Sequence, residues 1–178
     1  MQPTALGGIM SAAADAGSVS RTMTDDTKSY TKIVLRHVGQ DGTVDVETPW
    51  ARCVGPDLYE LDNLPWYAYR VSVGDIVEAR MGADGLPEFV RTVRKSGNRT
   101  IRVILKPPVH DSAESMNVLE HLRSMGCGYE GMKGSYFAVN IPADVDLEEI
   151  REFLIQSGQT WEHADPAYED LFPEDGAG

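Results

Sequence analysis

Residues 47–80, ETPWARCVGPDLYELDNLPWYAYRVSVGDIVEAR, restrict the fold more than any other part of the chain. A Leu-Asp-Asn-Leu-Pro-Trp corner sits there among tyrosines and between short strand-like segments. Turn signals recur around it at close spacing: Asp41-Gly42, Gly55-Pro56-Asp57, Ala83-Asp84-Gly85 and Ser96-Gly97-Asn98. Glycine, asparagine and aspartate accept the positive φ that tight turns need, so each cluster reads as a reversal. The intervening segments, 32–38, 43–47, 50–54, 58–61, 76–81, 88–95 and 100–106, are expected to be strands. Many short strands at this spacing predict a small β-barrel or a bent antiparallel sheet. The aromatics Trp50, Tyr59, Trp66, Tyr67 and Tyr69 are expected to supply bulk to its core.

The pattern changes after Pro107-Pro108. Asp111 with Glu114, and Asp146 with Glu149, each match a capping box, in which the first side chain accepts an orphan helix amide and the second reaches back. Met116, Leu119, Leu122 and Met125 share one helical face, and Gly126 follows as a stop. Leu147, Ile150 and Leu154 repeat the arrangement before Gly158. With strands expected over 101–105, 127–133, 135–141 and 160–163, the order is β-α-β-β-α-β, the ferredoxin-like plan. The fold class is therefore α+β. A disordered tail is expected over 1–28, a β-rich subdomain over 29–100, a ferredoxin-like subdomain over 101–168, and an acidic frayed end over 169–178.

A net charge of −12 argues against wholesale binding to nucleic acid or anionic membrane. No apolar run approaches the roughly 18 residues of a membrane-crossing helix. The first 28 residues lack a basic leader region, so export is not expected and the cytoplasm is. Cys53 and Cys127 read as buried thiols in a reducing compartment.

No catalytic, cofactor or metal site is expected. His110, Asp111 and Glu114 lie close together, but capping accounts for the two acids. Cys127 with His163 is the tempting nucleophile and base. In a sheet of spatial order 4-1-3-2 their strands would be opposite edges, out of hydrogen-bonding reach. No nucleophile elbow or phosphate-binding glycine loop is present.

Two features are candidate contact surfaces. Trp66 and Tyr67 follow Pro65 in the corner, where one of them is expected to stay partly exposed. Arg91, Arg94, Lys95, Arg99, Arg102 and Lys106 form a basic run without an acid among them, holding six of the chain's sixteen basic residues. Such a stripe can meet phosphate or a carboxylate-rich partner; it can also be a solvated sheet face or pair with the chain's own acids. The leading expectation is a non-enzymatic protein-interaction module, of which an acidic immunity or regulatory protein neutralising a basic partner is one form. One alternative is nucleic-acid contact through the stripe. Another is an enzyme acting on a small ligand at the subdomain junction, with Asp62, Asp75 or His110 carrying a proton.

Four motifs occur in order: Glu47-Thr48-Pro49-Trp50-Ala51, Leu61-Asp62-Asn63-Leu64-Pro65-Trp66, Gly74-Asp75-Ile76-Val77 and Ser96-Gly97-Asn98-Arg99-Thr100-Ile101-Arg102. They resemble the E-T-x-W-A, L-D-N-x-P-[FWY], G-D-x-V and S-G-x-x-T-[IL]-R pattern of a bacterial family, the domain of unknown function numbered 4265. The resemblance covers roughly residues 32–167. It implies the fold boundaries and a bacterial origin, and brings no activity, cofactor or catalytic residue.

Overall fold

The computed structural model describes residues 29–39, 42–132 and 134–173. The tail expected over 1–28, Asp41 of the first turn and the last five residues lie outside the described residues. Among the described residues, eleven strands in antiparallel ladders and three α-helices make the fold α+β.

In the first half, β1 (Tyr30–Lys32), β4 (Trp50–Gly55), β5 (Leu58–Leu61), β6 (Ile76–Met81) and β7 (Pro87–Arg94) form one sheet in the order β1-β4-β5-β6-β7. A separate hairpin pairs β2 (Leu35–Val38) with β3 (Val44–Glu47). The barrel expectation is corrected: the sheet is open. Among the described residues, an isolated bridge at Val34 links its two sides: Val34 N–H donates to Pro87 O and Val34 O accepts from Phe89 N. The reason lies in residues 33–35. Ile33, Val34 and Leu35 are consecutively buried, so the chain rolls about its axis there instead of alternating faces. The segment expected as one strand therefore serves three neighbours in turn: β4, β7 and β3.

The core of this half is aliphatic, not aromatic. Ile33, Leu35, Leu61, Val71 and Val77 fill it with three alanines, and Tyr59 and Phe89 pack against it. Trp50 is exposed, with the Lys32 ammonium 5.5 Å from its ring centroid.

The second half runs β8 (Arg99–Ile104), α1 (Ala113–Ser124), β9 (Gly128–Met132), β10 (Tyr136–Ile141), α2 (Leu147–Ser157) and β11 (Thr160–Asp165), with sheet order β11-β8-β10-β9. A 3-10 turn at Val109–Asp111 precedes α1 and takes up Asp111, so Ser112 is the cap in its place. Its hydroxyl accepts from Glu114 N at 3.2 Å and Ser115 N at 3.4 Å. The buried face of α1 is accordingly Ser115, Leu119 and Leu122, while Met116 is exposed. At α2, Asp146 caps Glu148 N at 2.8 Å, and Gly158 ends the helix at φ +67°. A close approach fixes Gly131 on β9, where a Cβ would stand 2.5 Å from the Phe137 ring.

The sheet of the second half is covered on both faces. Ile101, Val103, Phe137 and Val139 meet the helices. Thr100, Arg102 and Ala138 are buried on the other face, under the corner that follows β5. The acidic end begins with a short helix, α3 (Tyr168–Leu171).

Candidate functional site at the junction

The segment 66–71 belongs to no strand, so its main-chain groups need partners from elsewhere. Side chains supply them. The Glu47 carboxylate, 9% exposed, accepts three consecutive N–H groups: Trp66 at 2.6 Å, Tyr67 at 3.1 Å and Ala68 at 2.7 Å. Tyr136 Oη donates to Trp66 O at 2.7 Å, and Arg102 Nη2 to Ala68 O at 2.5 Å. Arg70 N donates to Ala164 O, and Lys95 Nζ to Arg70 O, both at 2.8 Å. Asn63 Oδ1 holds Trp50 N at 3.0 Å. An irregular segment is thus pinned from both halves of the molecule.

A buried polar network lies behind it. Asp75, fully buried, accepts Ser72 N, Ser96 N and Lys95 Nζ at 3.0, 2.8 and 3.0 Å. Asp165 Oδ2 accepts Lys95 Nζ and Ser72 Oγ, each at 2.6 Å. A hydroxyl has one proton, so the 2.8 Å contact between Ser72 Oγ and Thr100 Oγ1 has the threonine as donor. Lys95 spends its three donors on Asp75, Asp165 and Arg70 O. Gly74 makes the turn into Asp75 at φ +82°, where a Cβ would meet Ser96 Cβ at 3.1 Å.

This scaffold walls a cavity of about 920 Å³ between the halves. The first half contributes β2 and residues 68–71; the second contributes β11, Arg151 of α2 and the start of α3. Trp161 and His163 lie on the helix-facing side of β11 and Glu162 on the other, so the cavity wraps the open edge of that strand. His37 and Tyr69 pack with ring centroids 5.0 Å apart, and Trp161 meets His163 edge-on at 5.1 Å. The Arg102 guanidinium lies 4.4 Å from the Tyr69 ring, and Tyr69 Oη donates to Glu162 at 3.0 Å. Burial, with the neighbouring Glu162 charge, raises the Tyr69 pKa above the ordinary phenol value.

Three guanidiniums line the cavity. Arg36 pairs with Glu88 at 2.5 Å, Arg70 holds Asp170 through two nitrogens at 2.9 and 3.1 Å, and Arg151 pairs with Glu148. His163 is 5% exposed, and neither ring nitrogen has a hydrogen-bond partner among the described residues. Burial, with the positive charge of Arg151 adding to it, lowers its pKa below the ordinary histidine value. Arg151 Nε is likewise buried without an acceptor.

The expected contact residues fall elsewhere. Trp66 and Tyr67 are half-buried and pack on Tyr136, at 5.8 and 6.4 Å between centroids. The basic run does not form one solvent face. Arg102 is 2% exposed and bonded to Glu162, a correction to its place on a contact surface: β8 is a central strand with both faces covered. Lys95 is spent in the network, Arg99 donates to Pro142 O and Val145 O, and Arg91 pairs with Glu78. Arg94 and Lys106 are exposed.

Cys127 and His163 lie toward opposite edges of their sheet, and burial pushes the Cys127 thiol up to about 11, which disfavours thiolate. Asp62, Asp75 and His110 do not line the cavity. The alternation Trp161-x-His163 was the one available signal for the cavity wall; Arg36, Arg70 and Arg151 carried none, being single arginines on separate elements.

The family described as Domain of unknown function (DUF4265) matches residues 47–164, from the Glu47 clamp to the carbonyl that receives Arg70 N–H. No curated protein matches the sequence. A solved structure described as a hypothetical protein from Neisseria gonorrhoeae aligns with a TM-score of 0.65 at 17% identity, over 79% of this chain and 96% of that one. That likeness is one of fold.

Proposed function

Because the chain belongs to the DUF4265 family, whose motif residues here hold the two halves together, we propose that it is a non-enzymatic binding protein that receives a small ligand in the junction cavity. The observation that carries this reading is His163, a nearly buried imidazole with both nitrogens unpartnered on the wall of a cavity of about 920 Å³. Buried polar groups are ordinarily satisfied, so an imidazole that lacks a protein partner beside a cavity calls for an outside group, a water or a ligand. The motif residues Glu47, Asn63, Asp75, Ser96, Thr100 and Arg102 act as scaffold: each is engaged in bonds that hold main chain or charge in place.

The second half is read as ferredoxin-like, supported by its element order and its antiparallel β11-β8-β10-β9 sheet. The bacterial cytoplasm is the compartment we propose, a reading that two unpaired thiols support. No described helix is long and apolar enough to cross a membrane.

Thermal unfolding with pooled metabolite-sized compounds tests the reading, since a ligand of the native state raises the midpoint by mass action. Hits should lose their effect in Val38→Trp, which sets an indole at the cavity from an exposed position. Hits that act equally on this variant, or pools that yield none, contradict the reading.

The net charge of −12 favours a second reading, a basic protein partner of an acidic immunity or regulatory protein. Pull-down from the native host at low and high salt tests it; salt-independent capture of a neutral protein contradicts it.

A further inference from the structure

We propose that the ligand of the junction cavity is a small aromatic acid, a planar ring carrying one carboxylate or phosphate. This rests on the cavity being the binding site and adds the chemistry of what enters it.

The ring preference follows from the walls. Tyr69 and His37 form one side, with Tyr69 backed by the Arg102 guanidinium. Trp161, His163 and Tyr168 form another, with His163 between its two neighbours at 5.1 and 6.5 Å. Flat, rigid rings bury large area at low entropic cost and favour offset or edge-on partners. A volume near 920 Å³ lies in the range of small-molecule sites.

The charge follows from the cations. Arg36, Arg70 and Arg151 line the cavity, and each guanidinium spends only one or two of its nitrogens on a carboxylate among the described residues, which leaves N–H donors for an anion. Glu162, on the same wall, is occupied by Arg102 and Tyr69. Arg151 Nε–H has no acceptor among the described residues, and a neutral His163 brings one more N–H to the same wall. An oxygen-rich anion answers both. A phosphate chain would not suit the site. Each arginine already has a carboxylate beside it, Glu88, Asp170 or Glu148, which leaves room for one anionic group and repels a run of them.

Titration calorimetry of the full chain tests the proposal with indole-3-acetate and phenyl phosphate, their neutral counterparts indole-3-acetamide and benzyl alcohol, and inorganic phosphate alone. The acids should bind at least about tenfold more tightly than the neutral compounds, a difference of about 1.4 kcal/mol. The stronger of the two acids identifies carboxylate or phosphate as the anion. Arg151→Met should remove most of that preference, bringing the affinities of acid and neutral compound together; Arg36→Met serves the same purpose should the first variant not fold. Equal binding of acid and amide overturns the aromatic-acid proposal while leaving the cavity as a binding site. Binding of inorganic phosphate as tight as that of the acids overturns the ring requirement. No binding of either acid to the wild type overturns the ligand class, whereas failure of the pooled thermal screen is what removes the cavity itself.

Discussion

Lys95 reaches across the junction to Asp165, its ammonium 2.6 Å from the carboxylate, while the same nitrogen holds Asp75 at 3.0 Å. One cation from the first half therefore serves two buried acids, one in each half. Removing one partner of a buried pair costs more than the pair contributes, because the other charge is stranded. Lys95→Met is expected to lower unfolding free energy by about 2–4 kcal/mol, toward the lower end because the lysine is half exposed. Urea denaturation checks this. A loss within error of zero would mean that water replaces the ammonium without cost.

Glu47 contributes through geometry. It satisfies three successive amides of a segment without strand neighbours. Glu47→Ala is expected to cost about 2–4 kcal/mol, on the order of one unmade hydrogen bond per amide. Glu47→Gln, with one carbonyl oxygen instead of two, should fall between wild type and alanine. Equal stability of the glutamine and alanine variants would refute the clamp.

Arg70 has φ +61°, a left-handed conformation that side chains with a Cβ adopt at a cost. The hydrogen bonds at its N–H and C=O hold it there. Arg70→Gly and Arg70→Ala both remove the guanidinium, so their difference isolates the backbone. The glycine variant should be the more stable by about 1 kcal/mol, as read from paired denaturation curves. Both should speed hydrogen exchange in residues 168–172, since Asp170 loses its bidentate partner.

His163 makes stability depend on pH in a definite direction. Its folded-state pKa lies below the ordinary value of about 6.5. Between that value and the lower folded one, the unfolded chain binds more protons than the folded chain, so stability rises with pH. It should therefore fall as pH drops below about 6.5 and stop falling once the folded value is passed. His163→Leu should flatten the profile between about pH 7.5 and about pH 5.5. An unchanged slope would assign the titration elsewhere.

Local signals made much of this fold legible. The glycine and proline turns placed β5 and β6 to the residue, and alternation with two helix stops gave the order of the second half. Ser112 displaced Asp111 because a 3-10 turn after two prolines consumed one more residue than the capping pattern allowed. Arg102 escaped because alternation tells which side chains share a face and cannot tell that the opposite face is covered too. The cavity was not legible for the same reason. Its arginines come from β2, the corner and α2, elements brought together only by tertiary packing. The motif residues were visible, and it is the hydrogen bonds they make that show them to be scaffold.

Amide chemical-shift mapping of the full chain, titrated first with phenyl phosphate and then with a mixed-sequence oligonucleotide, tests the account most directly. It predicts that phenyl phosphate moves the amides of 35–38, 68–71 and 161–163 and leaves 91–95 unmoved. Silence at those junction amides, with the oligonucleotide shifting 91–106 instead, would contradict it.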